Sequence, residues 1–417
     1  MDTEQITGAI LSLVDAGQLA GAATLVWRDG ETHVACAGWR DIATETPITR
    51  DTIFRIASMS KPITSTAALM LFEEGRLALD DPITRWAPEF SQMRVLRSPD
   101  ASLHETDLAE RAITVEDLLT HRSGLTYGDF HSGPIAKAYA DTLGGDIDSD
   151  VAPDDWIAGL AALPLIDQPG RAFHYGHSTD LLGLLIARIE DMSLSDVLKR
   201  RIFDPLGMKD TAFVVPKEDR GRCAGHHGFD EAGRLIPLQT VPGGHALPER
   251  PDEMAFVSGG QGLWSTLDDY LRFARMFVEQ GAPGGVRLLR QDTLAGLASN
   301  RLTTAQRMEA RMLGLPIFAT GHGFGMGVAV VTEPEQANPM LCGGGTGSVG
   351  WPGAYGGWWQ ADPNEGSVLI FFTHNMVEPA QLAKGIGIGA YEAIMKFQAL
   401  GSTQPEPDAS GSKAKSE

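Results

Sequence analysis

Cysteine is scarce: the 417-residue chain has three, Cys36, Cys223 and Cys342. An odd, scattered set offers no disulfide framework and no paired zinc-ligand spacing. Basic charge is in deficit too, with 34 Lys plus Arg against 54 Asp plus Glu and a net charge of −20. That balance disfavours nucleic acid or an anionic membrane as the partner. No apolar run approaches the ~18 residues that suggest a membrane span. The start, Met1-Asp2-Thr3-Glu4-Gln5, has no basic stretch ahead of its short apolar segment at 9–14, so no signal peptide is expected. The cytoplasm is the expected compartment.

What is present is ordinary for a globular protein, with 43% hydrophobic and 21% charged residues. Glycine, at 48 residues, exceeds the usual ~7%. Residues 4–17 read as a helix stopped by Gly17. Apolar runs at 22–27 and 32–39, joined across Asp29-Gly30, read as a β-hairpin. Residues 52–56 read as a third strand and 60–74 as a helix, with Ile63, Ala67, Met70 and Leu71 on one face and Gly75 as the stop.

From 83 to 254 the pattern is mostly helical, near 114–120, 154–162, 179–192 and 193–203. Loops are expected near 128–152 and 220–254. Strand and helix patterns return after 255: a capping box at Ser265-Thr266-Leu267-Asp268 opening a helix to about 280, strands at 325–332, 354–361 and 367–374, and a closing helix at 378–399. The tail from Gly401 is rich in Ser, Pro, Gly and charge and is expected to be disordered. The chain therefore reads as an α/β domain built from 1–82 and 255–400, a mostly helical insertion at 83–254, and a tail at 401–417.

The sharpest chemical feature is Ser58-Met59-Ser60-Lys61, where a strand gives way to a helix. Three residues on a helix is nearly one turn, so Ser58 and Lys61 can face each other. A serine hydroxyl needs a base to take its proton, and a lysine serves only if its pKa falls. The helix start also offers free N–H groups for an oxyanion. The motif alone is weak, because Ser-x-x-Lys recurs at Ser410/Lys413 and Ser412/Lys415 in the tail. Other motifs fail. No Gly-x-Ser-x-Gly elbow exists. The run Cys342-Gly343-Gly344-Gly345-Thr346-Gly347 lacks the Gly-Lys-Ser/Thr of a phosphate loop and reads instead as a flexible approach to the next strand. His226-His227 read as loop histidines rather than metal ligands. His374 sits at a strand end, as open to core packing as to substrate contact.

Taken in order along the chain, several segments resemble the serine β-lactamase/penicillin-binding-protein superfamily, in its class C β-lactamase-like branch, and within that the family VIII carboxylesterases. They are Phe54-Arg55-Ile56-Ala57-Ser58-Met59-Ser60-Lys61-Pro62, the stretch from Ile113 to Leu125, Tyr175 with Asp180-Leu181-Leu182-Gly183, Pro205-Leu206-Gly207-Met208, and Gly260-Gln261-Gly262-Leu263-Trp264-Ser265-Thr266. The resemblance spans roughly residues 5–400. It implies a β-lactamase-like α/β fold, an antiparallel sheet flanked by helices, with Ser58 as the acylated nucleophile. Lys61 and Tyr175 would move the proton, and which of the two is the base stays open. The oxyanion would lie between the backbone N–H groups of Ser58 and Ala354. Tyr127, His177, Trp351 and Gly353 would contact substrate.

The chain departs from the lactamases at two points. His177 stands where they place Asn, two residues after the tyrosine, and Trp351 stands where they carry a cation on the strand edging the site. An indole cannot bind a lactam carboxylate and would favour an uncharged, apolar acyl or alcohol group. The expectation is a serine esterase cleaving small esters with short acyl chains, with a small-molecule ester as its partner and no metal or organic cofactor implied. The alternatives are a promiscuous β-lactamase or D-amino-acid peptidase on the same site, and a catalytically silent binding module. Oligomeric state is left open.

Overall fold

The computed structural model describes residues 3–402 apart from 132, 146–147, 240–253, 378 and 383. The expected disordered tail, with both later Ser-x-x-Lys matches, lies beyond the described residues except for its first two positions. Much of the expected 220–254 loop lies outside them as well.

An eight-stranded antiparallel sheet organises the molecule. Strands β1 (Gly21–Arg28), β2 (Glu31–Asp41) and β3 (Thr46–Pro47) come from the start of the chain. The sheet continues from β1 through Ser367–Phe372, Trp358–Asp362, Val349–Gly350 and Ala329–Val331 to His322–Phe324. Both faces of its centre are covered, so its strands read as continuous apolar runs rather than alternating ones. Val368, Ile370 and Phe372 enter the main core, while Leu369 and Phe371 face the other way. That second face is closed by helix α1 (Thr3–Asp15) and the helix Gly389–Ser402, through Ile6, Ile10, Ile394 and Phe397. The β1–β2 turn has positive φ at both Asp29 (52°) and Gly30 (83°), as a type I′ hairpin turn requires.

Helix α2 (Lys61–Glu73) packs on the main core face and is buried from Lys61 to Leu69 without a polar stripe. Gly75, at φ 68°, lets the chain leave it. The middle of the chain supplies α3 (Val115–Leu119), α4 (Pro134–Leu143), α5 (Pro153–Ala162) and α6 (Ser178–Glu190).

Several elements differ from expectation for identifiable reasons. The third strand shrinks to β4 (Phe54–Arg55) and pairs with Trp264–Ser265 outside the large sheet, because loop backbone at Arg222, Ala224 and Leu263 takes the hydrogen bonds of Ile53 and Ile56. Helix α4 occupies the expected loop at 128–152. The helix after 264 is capped one residue later than expected: Thr266 accepts from the Asp269 N–H, while Ser265 Oγ lies 2.8 Å from Thr211 Oγ1. This helix (Leu267–Ala274) then tightens into a 3-10 turn. The strand expected at 325–332 is a hairpin that turns at Gly325–Val328, with Gly327 at φ 94°. The closing helix is interrupted at Gly385 and Gly387, both at positive φ. The glycine run after Cys342 is no flexible approach. The Gly343 N–H donates to Gln360 Oε1 at 2.7 Å and the Gly345 N–H to Asp362 Oδ2 at 2.8 Å.

Candidate active site

Ser58 sits on a 3-10 turn, Ala57–Ser60, rather than in the α-helix it introduces. Ala57 enters that turn at φ +43°, a conformation that costs a residue with a Cβ and persists only where the surroundings impose it. The kink separates β4 from α2. Ser58 retains 5% exposure, while Lys61, in the first turn of α2, has none.

Lys61 Nζ lies 3.3 Å from Ser58 Oγ, 3.2 Å from the Tyr127 hydroxyl and 3.0 Å from the Gly260 carbonyl oxygen. Burial pulls its ammonium from the ordinary 10.5 down to about 7, against the opposing field of Asp180. Tyr175 precedes α6, and the Ser58 hydroxyl is close enough to act on its phenol. Burial raises this phenol well above its ordinary value although Ser58 and Trp351 both act to lower it, so Tyr175 is a protonated phenol at neutral pH. Lys61 Nζ also stands 4.5 Å from the centre of the Tyr175 ring.

Trp351 departs from the role expected of it. Its indole N–H donates to the Tyr175 hydroxyl at 2.9 Å, and the ring is 1% exposed among Phe318, Phe324 and Tyr175. It orients the phenol as well as making the surroundings apolar. Beyond it, residues 354–357 are a turn and not the start of a strand: the Gly353 N–H donates to Gly357 O at 2.7 Å and the Gly356 N–H to Gly353 O at 3.0 Å. This turn lies against the nucleophile, since a Cβ on Gly353 would come within 2.6 Å of Ile56 O and 3.6 Å of Met59 Cγ. Ala354, the expected second oxyanion donor, therefore follows a residue packed on the Ser58 turn.

His177 is the second residue expected to contact substrate. It is 1% exposed, stacks parallel to Tyr139 and points Nδ1 at Asp180 Oδ2, 3.0 Å away. Its ring also meets Tyr127 edge-on, with 4.6 Å between ring centres. Tyr127, expected to line the pocket, turns its hydroxyl to Lys61 and packs its ring on Phe130, Tyr175 and His177. His374 packs in the core against Tyr355, His226 and Trp264, and the Gly225 carbonyl lies 2.7 Å from its Nδ1. His227 is on a short strand, His227–Phe229, rather than in a loop. Among the described residues no group of three or more His, Cys, Asp and Glu is arranged to hold a metal ion.

Other participants have no counterpart in the residue-by-residue expectations. Asp180, Gly260 and Ser258 surround the far side of Lys61 and Tyr127. His121, at φ 54°, accepts from the Gly176 N–H through Nδ1, and its ring packs at a tilt 4.8 Å from that of Tyr175, bracing the turn that presents it. Burial and the nearby Lys61 hold His121 neutral.

A hydroxyl within reach of both an amine near neutrality and a protonated phenol, beside a turn of backbone N–H groups, is equipped for acyl transfer. The Beta-lactamase family model matches residues 6–388 of this chain. The chain belongs to the β-lactamase family. Within this family it is 44% identical to Protein Rv1367c of Mycobacterium tuberculosis, over 89% of this chain and 90% of that one. It is 31% identical to Esterase EstB of Burkholderia gladioli, over 87% of each. Its fold matches that of EstCE1, described as a hydrolase with promiscuous acyltransferase activity, at a TM-score of 0.75 and 25% identity, over 94% of this chain and 97% of that one. Proteins similar to this β-lactamase-family chain thus include one named as an esterase and one described as a hydrolase. No helix among its described residues is long and apolar enough to cross a membrane.

Proposed function

We propose that this protein is a serine carboxylesterase of the family VIII type, hydrolysing small esters with short acyl chains through an acyl-enzyme on Ser58. The observation that carries the reading is the environment of Lys61. A neutral amine has two N–H donors and one lone pair. Nζ has three polar neighbours: the Gly260 carbonyl, the Tyr127 hydroxyl oxygen and Ser58 Oγ. The first two take the N–H groups, and the lone pair is left for the Ser58 proton. With a pKa of about 7, about half of the lysine is neutral at pH 7.

In this reading Lys61 takes the proton as Ser58 Oγ attacks the ester carbonyl. The oxyanion is held by the N–H groups of Ser58 and Ala354. Tyr175, donating its phenolic proton to the departing alkoxide and recovering one from Lys61, lets the C–O bond break without a free alkoxide. Water then attacks the acyl-enzyme, gives its proton to the same pair, and carboxylate leaves with Ser58 restored. Trp351 supports an ester over a lactam, because an indole committed to Tyr175 supplies no charge for a substrate carboxylate. The aromatic surroundings support an uncharged substrate. The division into a two-part α/β domain and a helical insertion, the small-molecule partner and the cytoplasmic compartment belong to the same proposal, supported by the sheet's origin in both chain ends and the net charge of −20.

The test is turnover of p-nitrophenyl butyrate and of a chromogenic cephalosporin by wild type and Ser58→Ala. Ester turnover that exceeds cephalosporin turnover and is abolished in a folded Ser58→Ala is the expected result. Cephalosporin turnover exceeding ester turnover overturns the esterase assignment, and full ester hydrolysis by Ser58→Ala overturns the mechanism.

A further inference from the structure

Behind Lys61, away from Ser58, lies a carboxylate to which the steps above assign no part. Asp180, on α6, is fully buried and meets four groups. His177 Nδ1 is 3.0 Å from Oδ2, and the Tyr127 hydroxyl donates to the same oxygen at 3.4 Å. The Gly260 N–H donates to Oδ1 at 3.0 Å, and the Ser258 hydroxyl donates there too. All four can be donors, and an ionised carboxylate is acceptor-only with about four acceptor sites. The arrangement leaves no place for a proton on Asp180. Two of the four groups, Tyr127 and Gly260, are also the two that receive the N–H groups of Lys61.

We propose that Asp180 is a positioning residue for acylation, fixing Tyr127 and the Gly260 peptide so that they hold both Lys61 N–H groups and aim the remaining lone pair at Ser58. The proposal rests on the esterase reading and deepens it. Asp180 touches neither substrate nor the reacting atoms, so it acts only through these two neighbours. By donating to Asp180, the Tyr127 hydroxyl is left with its oxygen lone pairs toward Lys61. By donating to Asp180, the Gly260 N–H ties down the peptide segment whose carbonyl faces Lys61. His177 completes the support: stacked on Tyr139 and edge-on to Trp156 and Tyr127, it has its Nδ1 against the carboxylate. This gives a physical use to a histidine in place of the lactamase asparagine.

The charge has a second consequence. Lys61 faces Ser58 on its own turn, Tyr127 beyond α3, His121 at the end of α3, Tyr175 in the turn before α6 and Asp180 on α6. Only Asp180 among these carries a negative charge at neutral pH, and its field favours the protonated lysine. Removing that charge must therefore move the titration of Lys61 to lower pH while disordering the amine.

The experiment is the rate of Ser58 labelling by a fluorophosphonate between pH 5 and 9, read by mass spectrometry. It needs no knowledge of the natural ester. Wild type should label on Ser58 with a rate that rises through a midpoint near 7. Asp180→Asn, whose amide NH₂ cannot accept from half of these donors, should label about tenfold more slowly on the plateau, with its midpoint lower by roughly half a pH unit or more. A wild-type rate in this variant, or a slower rate with the midpoint unmoved, overturns the proposal. If Asp180→Asn does not fold, Tyr127→Phe decides: it keeps the carboxylate but breaks the relay, and should slow labelling about fivefold or more. Labelling of Tyr127→Phe at the wild-type rate overturns the proposal. Absence of Ser58 labelling in wild type is a different failure, that of the esterase reading itself.

Discussion

The proton chemistry of this site is set by where two side chains are buried and what each can still bond to. Lys61 and Tyr175 share a dry site, and dryness acts oppositely on a cationic acid and a neutral one. Burial lowers the lysine to about 7 and raises the phenol, which in the proposed mechanism makes the first the base and the second the proton carrier. Trp351 touches only the second of these. Trp351→Phe keeps the aromatic bulk and removes the N–H from the Tyr175 hydroxyl, a loss of about 1 kcal/mol, or roughly fivefold. The expected outcome is a kcat lowered by that order, with the acid limb of kcat/KM still near 7. A limb that moved with Trp351 would show that the phenol titrates there instead. The approach of Lys61 to Ser58 is legible in the sequence because a serine and a lysine three positions apart imply a meeting. Asp180 is not, despite standing in a matched motif, because what it does depends on Tyr127, Ser258 and Gly260, and on His177, all but the last far away in sequence. His177 is similar: its position suggests a substrate contact, and its burial against Tyr139 and Asp180 is the basis for proposing a supporting role.

Elements position these residues by close approaches that only small residues allow. A Cβ on Gly176 would fall 2.2 Å from Thr126 Cα, so the turn carrying Tyr175 is pressed against the segment carrying Tyr127. Gly353 does the same between the oxyanion turn and the nucleophile turn, where an added methyl carbon would stand 2.6 Å from Ile56 O. A backbone oxygen cannot swing aside as a side chain can. Gly353→Ala should therefore push the turn with Ala354 off Ser58 and lower kcat about 10²-fold or more, the usual loss of an oxyanion donor, with a smaller effect on KM. Steady-state kinetics of the folded variant check this, and wild-type kcat would remove Ala354 from the oxyanion site. At this scale the long periodic segments were legible and the short ones less so. Helix α4 was missed although Ile135, Tyr139 and Leu143 recur at four-residue steps between Pro134 and Gly144, because the polar residues around it read as loop. The turn at 354–357 reads as strand, since Ala354 and Tyr355 fit a strand pattern until Gly356 adopts φ 83°.

Across the whole molecule, one buried ion pair joins the middle of the chain to the strand that leads into the nucleophile. Arg55 reaches Asp148 through two hydrogen bonds of 2.9 and 3.0 Å, with both side chains wholly inaccessible. The guanidinium also lies 5.4 Å from the Trp264 ring centre and 5.5 Å from that of Tyr355. Tyr355 follows Ala354, and Arg55 precedes Ser58 by three residues, so the pair anchors both halves of the proposed oxyanion site from behind. The sheet's assembly from the two chain ends could be anticipated from the return of strand patterns after 255. This link could not, because Asp148 lies in a stretch that reads as loop and nothing local distinguishes it from its neighbouring aspartates. Arg55→Met takes the guanidinium away from the buried Asp148 carboxylate, and breaking a buried ion pair costs about 3–5 kcal/mol. The same energetics say that an apolar pair of similar volume is tolerated better than half of an ionic one. Urea unfolding should therefore show Arg55→Met destabilised by that amount and Arg55→Met/Asp148→Leu recovering a large part of it. Ester turnover should follow in the same order, because the turn bearing Ser58 loses its anchor in the first variant and regains a packed one in the second. An Arg55→Met variant as stable as wild type would mean that the pair holds nothing in place, and that the nucleophile turn is fixed by its contacts with α2 and Gly353 alone.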